Sequence, residues 1–404
     1  MKINLSQQPT SIEKLYSVAQ DIKNSVKDIN HSIENRDYIK GESFAYLPFD
    51  ENQIIKLLEF KKKIPAKDLK RVVVIGIGGS GQGTKAVYEF LRSHKKLVPM
   101  EFIDQIDSEK ISNIAKELKE MGSEDYLIFV ITKSGTTTET LYNFELLQSN
   151  IKLNPERIVF ITEENSHLVS ICESKKYHVL TFPKKISGRF SVLTAVGLAP
   201  LALAGVNVIK LLEGAMQQVN SINSEEENLP LLCAAAKFVS KRLINENLYP
   251  NRHFGELGKW EKQIFNESLG KNENAMFTSF GNFYLELHSS LQHYLNSKHI
   301  FLNTVYLKDS TSLILKDAEY LAKNFDQTDT EEIQRAIYTS VLRNLSKNNV
   351  PTISIEFSDD REKDIGEYLQ FKMLEVYFLA KLMNVNPFDQ PDVNSYKENL
   401  TKYI

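Results

Sequence analysis

Cysteine is scarce in this chain. Its 404 residues include two, Cys172 and Cys233. They are far apart and have no CxxC partner, which excludes a zinc site of that kind and a disulfide framework. Both read as small buried apolar side chains. Net charge is also scarce: 49 basic residues against 52 acidic ones leave a formal charge of -3. A dedicated nucleic-acid binder would be strongly basic, so that class is excluded, although a local basic pocket for one anion is not. Long apolar runs are missing too. The most apolar stretch, residues 192–206, is too short to span a bilayer and reads as a buried helix. The opening residues, Met1-Lys2-Ile3-Asn4-Leu5-Ser6-Gln7-Gln8, lack the apolar centre of a signal peptide. These absences predict a cytoplasmic protein with no membrane and no nucleic-acid partner.

What is present is an ordinary globular composition, 42% hydrophobic and 25% charged. The length exceeds what one core usually serves, so two domains are expected. Residues 1–45 are polar with spaced Ile, Leu and Val and predict a helical amino-terminal extension. From Arg71 the texture changes. Val72-Val73-Val74-Ile75-Gly76-Ile77 is a β-branched run typical of a buried parallel strand. Further strands are predicted at 100–103, 126–132, 158–162 and 178–182, separated by helical patterns. Alternation of this kind predicts a doubly wound α/β domain over 46–185, with binding loops at the carboxyl ends of its strands. Residues 186–404 are more helical but hold strand candidates at 300–307 and 352–357, which predicts a second α/β domain of the same α-β-α sandwich type. A charged segment at 359–364 opens a long helix to about 382. The acidic run Glu225-Glu226-Glu227 reads as a solvated loop.

Two segments carry chemistry on their own. Gly76-Ile77-Gly78-Gly79-Ser80-Gly81-Gln82-Gly83 follows a strand and precedes a helix. Glycines there let the backbone approach a ligand, and the helix terminus favours an anion. Gly76, Gly78 and Gly81 also satisfy GxGxxG, and Asp104 near the end of the next strand could bind a ribose. This loop alone therefore leaves a nicotinamide enzyme and a sugar-phosphate enzyme both open. The second segment, Thr132-Lys133-Ser134-Gly135-Thr136-Thr137-Thr138-Glu139-Thr140, brings six hydroxyls and a lysine to another strand-to-helix turn. A helix cap needs one or two hydroxyls. Six, with backbone amides and the helix dipole, suit a phosphate monoester.

With these two loops the chain resembles the sugar-isomerase (SIS) fold, and four later segments resemble the glucose-6-phosphate isomerase family in particular. They are Gly188-Arg189-Phe190-Ser191-Val192-Leu193-Thr194, Phe265-Asn266-Glu267-Ser268-Leu269-Gly270-Lys271, Asn282-Phe283-Tyr284-Leu285-Glu286-Leu287-His288, and the stretch from Asn386-Pro387-Phe388-Asp389-Gln390 to Lys397. The resemblance implies interconversion of glucose 6-phosphate and fructose 6-phosphate with no cofactor and no metal. It implies Glu267 as the base that moves a proton between C2 and C1, Arg189 as the cation facing the enediolate, and His288 with Lys397 as the pair that opens the sugar ring. Gln390 is implied as a substrate contact. Ser80, Thr132, Ser134, Thr137 and Thr140, with backbone amides of Gly79 and Lys133, are expected to hold the phosphate. A homodimer is implied as well, with His288 contributed to the neighbouring subunit's site.

The match departs from the family at Ser187, where many members have glycine, and at Asp392 and Asn394, which replace a glycine and a glutamate. Aspartate tolerates a left-handed backbone, so Asp392 could keep the turn. Asn394 removes a negative charge near Lys397. Competing readings are a nicotinamide dehydrogenase, which leaves the hydroxyl cluster unused, a non-catalytic sugar-phosphate sensor, and an isomerase that also accepts mannose 6-phosphate.

Overall fold

Strands form where β-branched and aromatic residues run together between turn signals. In chain order they are β1 (Lys2–Asn4), β2 (Arg71–Ile75), β3 (Met100–Ile103), β4 (Tyr126–Ile131), β5 (Ile158–Thr162), β6 (His178–Thr181), β7 (Ile244–Tyr249), β8 (Phe277–Asn282), β9 (Ile300–Tyr306) and β10 (Thr352–Glu356). The computed structural model describes residues 1–64, 69–224, 227–271, 273–309, 311–317, 319–320 and 325–393. Glu225, Glu226, Asn394 and Lys397 lie outside the described residues.

The first sheet has the order β3-β2-β4-β5-β6 and is parallel throughout. β4 is buried at every position, as a strand covered by helices on both faces must be. The chain runs from β2 outward to β3, then returns past β2 to β4. This reversal leaves a crevice beyond the carboxyl ends of β2 and β4, where open α/β sheets bind their ligands. Both loops singled out from the sequence start there.

The second sheet has the order β1-β10-β9-β7-β8. β7 to β10 are parallel, and β1 runs antiparallel beside β10. The amino-terminal segment thus contributes a strand to this sheet as well as the helices Ile12–Gln20 and Lys23–Asn35. β7 and β8 are the strands that the apolar pattern does not reveal. β7 reads Ile-Asn-Glu-Asn-Leu-Tyr, yet Asn245 and Asn247 are buried. Asn247 Nδ2 donates to the Ser279 carbonyl at 3.2 Å, while its Oδ1 has no hydrogen-bond partner among the described residues; Asn245 is paired sideways within the sheet. Asn245 Nδ2 donates to Thr278 Oγ1 at 3.1 Å, and Asn303 Nδ2 donates to Asn245 Oδ1 at 2.7 Å.

The helix Arg361–Leu382 is the axis of this half of the molecule. Every residue from Asp364 to Ala380 is buried, so it has no solvent face and packs on all sides. Against the helix Val208–Asn220 the backbones nearly touch. A Cβ on Gly366 would lie 1.8 Å from the Leu211 carbonyl oxygen, and one on Gly214 would lie 1.9 Å from that of Lys363. Only glycine fits either position. The apolar stretch 192–206 contains the buried helix Ala195–Ala204, as its composition predicted.

Between the helices Leu229–Ser240, Gly255–Leu269 and Arg361–Leu382 lie four charges with fully buried side chains. Lys237 and Glu375 are 2.5 Å apart, and Lys372 stands 3.0 Å from Glu375 and 3.1 Å from Glu261. The hydroxyls of Tyr249 and Tyr368 donate to Glu261 at 2.7 and 2.5 Å. Two lysines and two glutamates cancel, which is the condition for burying charge at all. Burial works against the Lys372 ammonium, but Glu261 and Glu375 hold it above its usual value. Cys172 and Cys233 are free and buried.

Two expectations follow from this packing. Lys372→Met should lower stability to urea by about 3–5 kcal/mol, because it leaves Glu261 and Glu375 with Lys237 as the one cation of the cluster. Adding Glu261→Gln should recover part of that loss, whereas equal stabilities for all three proteins would mean that the network is energetically idle. Burial also pushes the Cys172 thiol from 9.0 up to about 11. Between those values the native state keeps a proton that the unfolded chain has lost. The thiol's contribution is therefore full below about pH 9 and disappears as pH rises to about 11. Urea midpoints should fall more steeply across that window in the parent than in Cys172→Ala.

Candidate active site

The two turns at the switch point are built on glycines with positive φ. Gly78 has φ +57° in the turn after β2, and Gly135 has φ +74° in the turn after β4. The first turn leads to the helix Gln82–Leu91 and the second to Thr138–Asn150, where Thr137 stands at the N-cap position without a side-chain capping bond. In the second turn, Thr132 Oγ1 donates to Thr137 Oγ1 at 3.1 Å, and Ser134 and Thr136 share a hydrogen bond of 2.8 Å. Thr140 is fully buried, and its hydroxyl oxygen has no hydrogen-bond partner among the described residues. Lys133 lies 3.7 Å from Glu163 and 5.8 Å from the Phe182 ring. Burial pulls its ammonium below the usual lysine value.

The first turn is pressed against a third one. A Cβ on Gly79 would fall 2.2 Å from the Gly188 carbonyl carbon and 2.5 Å from the Arg189 nitrogen. The close approach that Gly79 permits is thus to the backbone of the Gly188–Phe190 turn. Ser191 Oγ ties the pair, donating to the Gly188 oxygen at 2.8 Å and the Gly79 oxygen at 3.4 Å. On its other side, Gly78 faces the Gln263 amide, 3.1 Å from where a Cβ would stand.

Arg189 is 2% exposed, so each of its five N–H groups needs an acceptor. Nε donates to Ser268 Oγ at 2.9 Å. Nη1 donates to Glu267 Oε2 at 3.1 Å and to Gln390 Oε1. Nη2 donates to the carbonyls of Pro387 at 2.7 Å and Asp389 at 2.8 Å. Burial draws the guanidinium below its usual value, and Glu267 opposes that. Glu267 sits in the last turn of the helix Gly255–Leu269, about one-third exposed at the side chain. Its second oxygen accepts from Gln263 Nε2 at 2.9 Å, a partner one turn back on the same face.

The segment after Asn386 is anchored from behind. Phe388 packs on Phe190 and Phe44 at 5.4 and 6.1 Å between centroids. A Cβ on Gly41 would strike the Phe388 ring at 2.2 Å. Lys271 Nζ donates to the Asn386 carbonyl and, at 2.6 Å, to Asp389 Oδ1. The Lys271 bond holds the Asp389 carboxyl below its usual value. Arginine, glutamate and glutamine from three distant segments thus converge next to the glycine turn.

A family model described as phosphoglucose isomerase matches residues 55–249. A glucose-6-phosphate isomerase of Mycoplasmopsis pulmonis is 32% identical over 100% of this chain and 99% of its own. The chain belongs to the glucose-6-phosphate isomerase family. Another relative of that name, from Methanocaldococcus jannaschii, is 33% identical over 81% of this chain and 83% of its own. A glucose-6-phosphate isomerase structure from Chlamydia trachomatis shares the fold, with a TM-score of 0.81 at 20% identity, covering 99% of this chain and 87% of its own.

Against this glucose-6-phosphate isomerase background, the predicted site residues divide. Arg189, Glu267 and Gln390 come together, and the Gly79 turn joins them. His288, expected at a neighbouring subunit's site, lies in the turn after the short helix Phe283–Glu286, exposed and with no hydrogen bond or ion pair to Arg189 or Glu267 of its own chain. Lys397 lies outside the described residues. Asp104, the candidate ribose ligand, is committed to Lys85 at 2.7 Å. Asp392 lies in the turn Pro391–Val393 and is not among the residues with positive φ, so the left-handed conformation is not used there. Gln263, Ser268, Lys271 and Asp389 were not singled out from the sequence. The last three lie inside recognised motifs, and Gln263 precedes Glu267 by one helical turn. That spacing was the available signal. Among the described residues, no three or more His, Cys, Asp or Glu side chains gather as metal ligands, and no helix is long and apolar enough to cross a membrane.

Arg189→Lys keeps the charge but replaces a planar five-donor fork with three donors at one point. The carbonyls of Pro387 and Asp389 then lose their shared clamp. Amide exchange across residues 386–390 should rise about tenfold or more. Unchanged exchange would mean that Phe388 packing alone holds the segment.

Proposed function

We propose that this chain interconverts glucose 6-phosphate and fructose 6-phosphate. The observation that carries the reading is the Arg189–Glu267 pair, 3.1 Å apart, beside a glycine turn at the switch point of the first sheet. The phosphate would be held by Ser80, Thr132, Ser134, Thr137 and Thr140 with the amides of Gly79 and Lys133. The unpartnered Thr140 hydroxyl supports this, since a buried hydroxyl without an acceptor or donor is costly unless a ligand or water satisfies it.

In this reading the ring is opened first, with His288 of a neighbouring subunit and Lys397 as the proton-handling groups. Glu267 then takes the proton from C2 and returns it at C1, passing through a cis-enediol(ate). Glu267 must leave Arg189 to reach that proton. Its departure frees a donor on Nη1 as negative charge grows on the enediolate oxygen. A fixed guanidinium beside that oxygen stabilises the transition state more than the ground state. Gln390, on the same nitrogen, would orient a substrate hydroxyl.

The test is a coupled assay with fructose 6-phosphate, run with a chelator. The parent should be active, and Glu267→Gln should lower kcat by about 10²–10⁴-fold with little change in KM. A parent that binds sugar phosphate without turnover would overturn the isomerase reading in favour of a sensor.

A further inference from the structure

A separate cavity of about 630 Å³ lies outside the candidate active site. It opens between the helix Ile12–Gln20, the end of Leu229–Ser240 and the end of Arg361–Leu382. Its floor is apolar, made by Met276, Leu379 and Met383. Phe238 and Leu243 wall the mouth and are 41% and 45% exposed, so large apolar side chains stand there uncovered. The charged lining residues are all cations and include no carboxylate. Lys237 points inward to Glu375. Lys14, Lys241 and Arg242 form the rim, and none of them has an ion-pair partner among the described residues. Among the described residues, the Arg242 guanidinium donates to the Ser297 carbonyl alone, at 3.3 Å.

An apolar cavity of this size with a few converging polar groups suits a small molecule. Three uncompensated cations at its mouth select the sign of that molecule's head group. We propose that this cavity binds a small anionic amphiphile, an apolar body on the floor with a carboxylate, sulfonate or phosphate at the Lys14–Lys241–Arg242 rim. None of its lining residues belongs to the candidate active site, yet it shares two segments with it. Asn274 and Met276 follow Lys271, and Met383 precedes Asn386 by three residues. A ligand there would bear on the chain stretches that clamp Arg189. The binding claim is independent of the isomerase reading.

Isothermal titration of the full chain with decanoate tests it. The expected result is one saturable site per chain, weakened about tenfold or more by Lys241→Glu with Arg242→Glu, and likewise by Lys14→Glu on a different helix. Glu267→Gln should bind as the parent does, and saturating fructose 6-phosphate should not displace the probe. Absence of saturable binding would overturn the proposal. So would undiminished binding in the charge-reversed proteins with unchanged circular dichroism, or displacement by fructose 6-phosphate, which would put the probe in the sugar-phosphate crevice. Binding confined to dissociated monomers would assign the face to contacts between copies and overturn it equally.

Discussion

The site rests on one buried cation. A guanidinium excluded from water is tolerable only when its donors are matched, because stranding even one in a low-dielectric interior costs on the order of 1–3 kcal/mol. Arg189 meets that demand with five acceptors drawn from two segments, the end of the helix Gly255–Leu269 and the stretch 387–390. Neither segment belongs to the first sheet, where the phosphate turns arise. The guanidinium ties both segments to the Gly188–Phe190 turn, and it is that turn's backbone that the Gly79 turn of the first sheet packs against. Phe190, next to it, repeats the same connection in apolar terms through Phe44 and Phe388.

The helix Gly255–Leu269 carries a second commitment on another face. Glu261 enters the buried four-charge cluster, while Gln263 and Glu267, one turn apart, face the glycine turn. Six residues separate Glu261 from Glu267, a rotation of roughly 240° on a 3.6-residue helix. The helix can therefore satisfy the core and the site together. Ion pairs on one side and Arg189 on the other leave it little freedom to rotate. A carboxylate that must let go of its partner and regain it benefits from a backbone that stays in place.

Much of this was legible beforehand, for identifiable reasons. The β-branched runs of β2 and β4 have no solvent face, so their apolar residues are continuous and easy to read. The helix over 361–382 was marked by the charged segment that opens it. β7 and β8 escaped because buried polar residues interrupt their apolar pattern; Asn245 pairs with Thr278 and Asn303 on other strands, and no local pattern encodes a partner tens of residues away. β1 escaped because three residues form a strand only when an edge is offered to them.

The sequence by itself determined the first winding sheet, the strands β9 and β10 of the second, the glycine turns, the hydroxyl-rich turn and the family motifs with Arg189, Glu267 and Gln390 in them. These are local properties: strand propensity, backbone freedom at glycine, and side-chain chemistry at fixed spacing. Only the tertiary structure decided that Arg189 would be buried, that Gly79 would serve the Gly188 backbone, that Asp104 would belong to Lys85, and that four charges could share one dry core. Each of these depends on which groups meet across the fold. A buried charge or a close backbone contact is stable only when its partner arrives, and that partner is chosen by packing.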